Sequence, residues 1–333
     1  MTSVTPSRRP KWGLIASLFA ATLMVISASL SSAHALPLYA ISQSRSGLVV
    51  QDSLTTGDTS RWFFGGSTVG VAPYQYYEDS QGLHLGVQAP PPSGTIVPWV
   101  GLYAVSQPTA QVFHAVLTLP SSTIPSQYFN TGLYVQTGGT NVNYVTCAGQ
   151  VSSTGVYWAV GMATGDQNSA TVFTTLWLSA FGPDQPLKRD CAIVTNGNNL
   201  LTVYLDGTQV YTSSSLALGY QSPFRVFLEV QSSYSGGMLF STYTDYYATQ
   251  SDSITITGVP TSSIGRIVDP SGTVLASGPV DSTGTVTLNI GKFHMPLLAN
   301  IEVLTLGVQT AITSSPVSIW GGNSYSLSLL GLL

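Results

Sequence analysis

From residue 48 onward the chain contains no run with the 3.6-residue apolar period of a helix. Short stretches rich in Val, Tyr, Thr and Phe recur instead, with apolar and polar residues alternating, and Gly, Asn, Asp and Pro punctuate them. A period of two demands strands with one buried face, and its repetition points to an all-β chain built of sandwiches. Clear examples are 111–119 (QVFHAVLTL), 132–136 (GLYVQ), 156–162 (VYWAVGM) and 171–178 (TVFTTLWL). The strongest local signal is 200–211 (LLTVYLDGTQVY), where two such runs flank Asp206-Gly207. That dipeptide suits a type I′ hairpin turn, in which both central residues need positive φ. Segment 224–231 (FRVFLEVQ) predicts a strand with Phe224, Val226, Leu228 and Val230 on one face and Arg225, Phe227, Glu229 and Gln231 on the other. Segment 238–248 (MLFSTYTDYYA) predicts another, with Tyr243, Asp245 and Tyr247 on one side. Pro90, Pro91 and Pro92 predict a stiff extended loop.

The hairpin with its VYLDG core resembles that of concanavalin A-like jelly rolls, the fold of laminin G-like modules, legume-type lectins and many glucanases. The opening DSLTTGDTSRWFF at 52–64, with Gly82-Leu83-His84-Leu85 after it, is similar to the start of such domains. The resemblance covers residues 48–250 and implies a jelly-roll β-sandwich there. A boundary is expected near 249–253. Residues 253–333 then form a small second β-sandwich with strands at 253–257, 265–268, 284–290 and 301–306, and turns at Asp269-Pro270-Ser271-Gly272 and Asp281-Ser282-Thr283-Gly284. At that size the unit is expected to be foldable alone. Its pattern resembles immunoglobulin-like and carboxypeptidase-regulatory-like modules of exported proteins, and the whole layout is similar to exported archaeal surface proteins. Residues 36–47 read as a polar lead-in.

The first 35 residues read as an export signal, a helix with a positive start (Arg8, Arg9, Lys11), an apolar stretch to Leu30 and small residues at Ala33 and Ala35. Cleavage is expected between Ala35 and Leu36, giving a secreted protein or one on the outer face of the envelope. An uncleaved segment would be just long enough to anchor the chain in a membrane, which is the one route to a membrane partner. Three of the ten basic residues lie in this segment and all fourteen acidic residues lie outside it, so cleavage leaves a net charge of −7. An acidic chain with a single basic pair, Lys188-Arg189, lacks the patch that nucleic-acid binding needs. Only 7% of residues are charged, against about 25% in an average soluble domain. Neutral polar groups therefore form the surface, and little stability should be lost when carboxylates titrate in acid. Cys147 and Cys191 are an even pair in an exported chain. A disulfide is expected, with two buried free thiols as the alternative. No metal site and no cofactor are expected, because His34, His84, His114 and His294 are scattered and no Cys or His stands at ligand spacing.

Two carboxyl groups about 5 to 9.5 Å apart are what glycoside hydrolysis needs. Laminarinase-type jelly rolls supply them as E-x-D-x-E on one strand, and that motif is absent. The chain has three glutamates, Glu78, Glu229 and Glu302. Glu229 lies on the strand face away from the aliphatic one and would pair with Asp245 or Glu78 in an enzyme of this type. Acid peptidases on the same fold use a Gln/Glu pair, and Gln231 stands near Glu229. A binding protein instead needs aromatic faces and neutral hydrogen-bonding groups for sugar rings. Tyr74, Tyr76 and Tyr77 form one cluster, and Tyr243, Tyr246 and Tyr247 another. Arg225 and Gln231 are polar candidates, and Trp62 and Trp99 aromatic ones, whereas Trp158 and Trp177 are expected in the core. The expected function is binding of carbohydrate or another extracellular ligand without catalysis. A glycoside hydrolase using Glu229 is the alternative, and a structural cell-envelope component the second alternative.

Overall fold

The computed structural model describes residues 39–56, 62–66, 73–89, 99–105, 109–137, 143–165, 172–215, 223–305 and 312–329. The expected export signal with its cut after Ala35, the Pro90–Pro92 stretch and the last four residues lie outside them. Among the described residues there is no helix. The strands in chain order are β1 (Tyr39–Arg45), β2 (Leu48–Asp52), β3 (Phe63–Gly66), β4 (Tyr74–Asp79), β5 (Gly82–Val87), β6 (Trp99–Val105), β7 (Val112–Thr118) and β8 (Tyr128–Thr137). They continue with β9 (Tyr144–Ser152), β10 (Gly155–Thr164), β11 (Val172–Leu178), β12 (Lys188–Thr195), β13 (Leu201–Leu205), β14 (Thr208–Ser213), β15 (Phe224–Ser232) and β16 (Leu239–Thr249). The last eight are β17 (Ser253–Thr257), β18 (Ser263–Val268), β19 (Val274–Pro279), β20 (Val286–Asn289), β21 (Leu297–Thr305), β22 (Ile312–Thr313), β23 (Val317–Ile319) and β24 (Ser324–Leu329).

Two antiparallel sheets build the larger unit, a concanavalin A-like jelly roll. Sheet I has the order β11-β10-β9-β8-β15-β6-β3, and sheet II the order β14-β13-β12-β7-β16-β5-β4 with β2 also on β16. Their inner faces meet in one core. Sheet I contributes Phe129, Leu133, Val135, Trp158 and Leu228, and sheet II contributes Leu83, Leu85, Phe113, Leu117, Ile193 and Val203. Each such side chain contributes about 1.5–3 kcal/mol by leaving water. The Asp206-Gly207 turn joins β13 to β14 with φ of 50° and 72°, as the type I′ reading requires. A disulfide, Cys147–Cys191, ties β9 of sheet I to β12 of sheet II through this core.

The C-terminal strands form a second, smaller sandwich. One sheet runs β1-β24-β17-β20, the other β19-β18-β21-β22 with β23 on β21. A separate core fills it, including Ile254, Ile256, Val286, Leu288, Ile301, Ile319 and Tyr325. The polar lead-in therefore contains a strand. β1 lies antiparallel to β24, with Tyr39 opposite Leu329 and Arg45 opposite Ser324. Its residues are mostly polar and exposed, with Ile41 alone of them packed on the second core, so its pairing comes from the open edge of β24 and not from a hydrophobic pattern. The small sandwich rests on the outer face of sheet II. Tyr247 of β16 points outward into the second core, 5.6 Å from Trp320 between ring centroids. The outer face of sheet I is left open.

Candidate functional site

Strict alternation along β8, β9, β10 and β15 decides what faces outward on sheet I. Tyr128, Asn130, Tyr134, Tyr144, Thr146, Gln150, Tyr157 and Gln231 line a groove of about 660 Å³. A second hollow of about 330 Å³ continues it past Tyr134, Tyr144 and Gln231 to Trp99, Phe227 and Glu229. Small residues make the floor. A Cβ on Gly132 would stand 2.5 Å from the Tyr134 ring, and one on Gly161 2.4 Å from the Phe173 ring, so both rings can lie down on bare backbone. The rings brace each other, Tyr134 edge-on to Tyr144 at 5.3 Å and Trp99 edge-on to Phe227 at 6.2 Å. Burial pushes the Tyr144 phenol up to about 12 and the Tyr134 phenol well above its usual value, so both remain neutral donors.

Among the described residues lining the groove, Glu229 is the single charged side chain. It is buried, and burial raises its carboxyl to about 7, against the opposing effect of a hydrogen bond from Gln231. Gln231 Nε2 donates to Glu229 Oε1 at 2.7 Å. Beneath it, Thr131 Oγ1 donates to the Tyr243 hydroxyl at 2.5 Å, and that hydroxyl donates to the Glu229 carbonyl at 2.6 Å. The strand backbone that presents Glu229 is thus tied to sheet II through the core.

The structure brings Glu229 and Gln231 together and separates the other residues expected at a site. Asp245 and Glu78 belong to sheet II, on β16 and β4, and cannot supply Glu229 with a second carboxylate across the core. Tyr243 and Tyr247 are buried, at 0% and 2% exposure, and so are not ligand contacts. The reason is a bulge. The register of β16 against β7 shifts between Thr244 and Tyr247, and Asp245 takes φ of 54°. Tyr243 and Tyr246 consequently enter the first core, and Tyr247 the second. Tyr74 and Tyr76 are exposed, at 41% and 45%, on the edge strand β4, where both stack on Phe64 at 4.8 and 4.9 Å. Arg225 shares the outer face of β15 but lines neither hollow. Trp158 is in the core, Trp177 packs against it, and Trp62 is buried with its Nε1 donating to Asp52 Oδ2 at 2.9 Å. The tyrosines that do form the groove, Tyr128, Tyr134, Tyr144 and Tyr157, escaped the sequence reading. The signal was the alternation YFNTGLYVQ, whose odd positions are polar or aromatic while most of its even positions are apolar.

No protein-family model matches the chain, and no curated protein does. Among solved structures, a Bacteroides ovatus family 16 glycoside hydrolase from a mixed-linkage glucan locus is similar over 60% of this chain and all of its own, with 9% identity and a TM-score of 0.43. A Bacillus licheniformis β-glucanase matches over 62% of this chain and 99% of its own, with 13% identity and a TM-score of 0.41. A Bacillus subtilis protein of unknown function with a galectin-like fold matches over 63% and 98%, with 8% identity and a TM-score of 0.37. At this distance those names do not tell what this chain binds.

Proposed function

We propose that this is an exported protein that holds a neutral oligosaccharide in the groove on the outer face of sheet I and does not cleave it. The observation that carries the reading is the make-up of that groove. It has tyrosine, tryptophan and phenylalanine walls, amide and hydroxyl groups between them, and one carboxyl. Aromatic faces cover the C–H faces of sugar rings, and neutral donors and acceptors match hydroxyls without a charge to desolvate. A volume of about 660 Å³ suits a ligand of a few sugar rings.

Glu229 motivates the alternative, a glycoside hydrolase. Its raised carboxyl has the form of a general acid. Hydrolysis in either stereochemical mode needs a second carboxyl on the same face, and among the described residues lining the groove there is none. A glycan-array screen followed by calorimetric titration of residues 36–333 separates the two readings. Binding should be saturable, and Tyr144→Ala should weaken it by about tenfold, the loss of roughly 1.4 kcal/mol expected for one aromatic contact. Glu229→Gln should leave binding in place. Release of reducing ends that Glu229→Gln abolishes would establish the hydrolase instead, and a clean negative on the array would favour a structural envelope role.

A further inference from the structure

Three side chains from distant parts of the sequence meet where the small sandwich rests on sheet II. His114 comes from β7 and Asp190 from the neighbouring β12, and both point outward from sheet II. His294 comes from the loop between β20 and β21. One ligand atom from each lies within 4.8 Å of the others. His114 Nε2 contacts Asp190 Oδ1, and His294 Nδ1 lies 3.1 Å from Asp190 Oδ2.

The hydrogen bonding of His114 makes this more than an ion pair. Its Nδ1 stands 3.2 Å from the Asp245 carbonyl, which can only accept, so Nδ1 carries the proton. In a neutral ring Nε2 then presents a lone pair to a carboxylate oxygen, and two acceptors face each other. A cation must mediate that contact. The ring is buried at 1% exposure and stacked on Tyr247 at 4.1 Å with an interplanar angle of 13°, so it cannot turn away. A histidine that donates its far nitrogen to a backbone carbonyl and directs the near one at a shared point has the arrangement of a metal ligand with its supporting hydrogen bond. The bulge at Asp245 is what brings that carbonyl into reach. One side of the cluster stays open, along a hollow bounded by Asp206, Gly207, Lys292 and Phe293. The Lys292 ammonium sits over the Phe293 ring, 4.9 Å from its centroid.

We propose that His114, Asp190 and His294 bind a divalent transition-metal ion of the zinc class, with the fourth position open to water. The ion clamps the C-terminal sandwich onto the jelly roll. Two imidazoles and one carboxylate suit zinc and its neighbours, whereas calcium and magnesium prefer all-oxygen shells.

The test uses the full chain, stripped with chelator and titrated with Zn²⁺ and, separately, Co²⁺ near pH 7. One equivalent of Zn²⁺ should bind, and Co²⁺ should develop the visible absorption of a low-coordinate site. His294→Ala and Asp190→Asn should each weaken uptake by at least about tenfold. His84→Ala, beside the unrelated Asp79, should not. Zn²⁺ should raise the thermal midpoint of the wild-type chain and leave that of His294→Ala unmoved, because only a site present in the folded state stabilises by mass action. His294 lies on a half-exposed loop, so its variant decides the matter even if Asp190→Asn does not fold. Absence of saturable uptake, or uptake that survives His294→Ala, would overturn the proposal and leave a contact held by protons alone.

Discussion

At the scale of single residues, Glu229 carries a consequence for stability that runs opposite to that of most carboxylates. Its folded value is about 7, whereas an unfolded glutamate titrates near about 4.3. Between those values the unfolded chain has released a proton that the folded chain keeps. The unfolded state binds fewer protons there, so stability falls as pH rises through that window and levels off above it. The burial responsible comes from Tyr134, Tyr144 and Tyr243 around the carboxyl, with the Gln231 amide as its hydrogen-bond partner. The loss amounts to about 3 kcal/mol at most. Glu229→Gln keeps the shape and removes the charge. The variant should match the wild-type chain in urea unfolding near pH 4 and exceed it near pH 8. Identical pH slopes for the two proteins would show that the carboxyl is hydrated in solution. The direction agrees with a chain of very low charge whose stability is expected to hold in acid.

Among the strands, the groove depends on pairing a bare backbone position with an aromatic ring on a neighbour. Gly161 of β10 sits under Phe173 of β11, and a Cβ there would meet the far end of that ring. Gly161→Ala should therefore tilt Phe173 into the groove at little cost to the fold, since a side-chain terminus can move where backbone cannot. Ligand affinity should drop several-fold while the thermal midpoint stays within a few degrees. Unchanged affinity would place the bound ligand towards Trp99 instead. How much of this was legible in the sequence follows the reach of each interaction. The two faces of β15 and the Asp206-Gly207 hairpin were readable because side-chain alternation and turn chemistry act within a few residues. The facing of β16 was not, because one residue with positive φ at Asp245 reverses the alternation after it, and nothing local marks that bulge. The meeting of His114, Asp190 and His294 was not either. Their spacing in sequence has no ligand period, and only the stacking of one sandwich on another brings them together.

For the whole molecule, the decisive feature is that the small sandwich takes strands from both ends of the chain. β24 has β17 on one side, in parallel, and β1 on the other. The junction is tight. Gly47 N donates to Asn323 Oδ1 at 2.8 Å, Gln250 N donates to the Gly47 carbonyl at 2.9 Å, and a Cβ at Gly47 would collide with the Gly321 carbonyl oxygen. Residues 253–333 by themselves would therefore lack a strand. They would expose the free edge of β24 and the core contact made by Ile41, and an uncovered edge invites pairing between chains. A unit of that size has a stability of only about 5 kcal/mol at best to lose. That segment alone should melt without cooperativity or self-associate. The register supplies a remedy. Tyr39 lies opposite Leu329, so a two-residue Asn-Gly turn can join residue 329 directly to residue 39 as a hairpin. The rearranged chain 253–329, Asn-Gly, 39–47 should be monomeric and unfold in one sharp transition by calorimetry. Equal cooperativity with and without the added strand would mean that β1 contributes nothing to the small sandwich. The sharp difference expected here would show that the segment between the export signal and the jelly roll belongs, physically, to the other end of the protein.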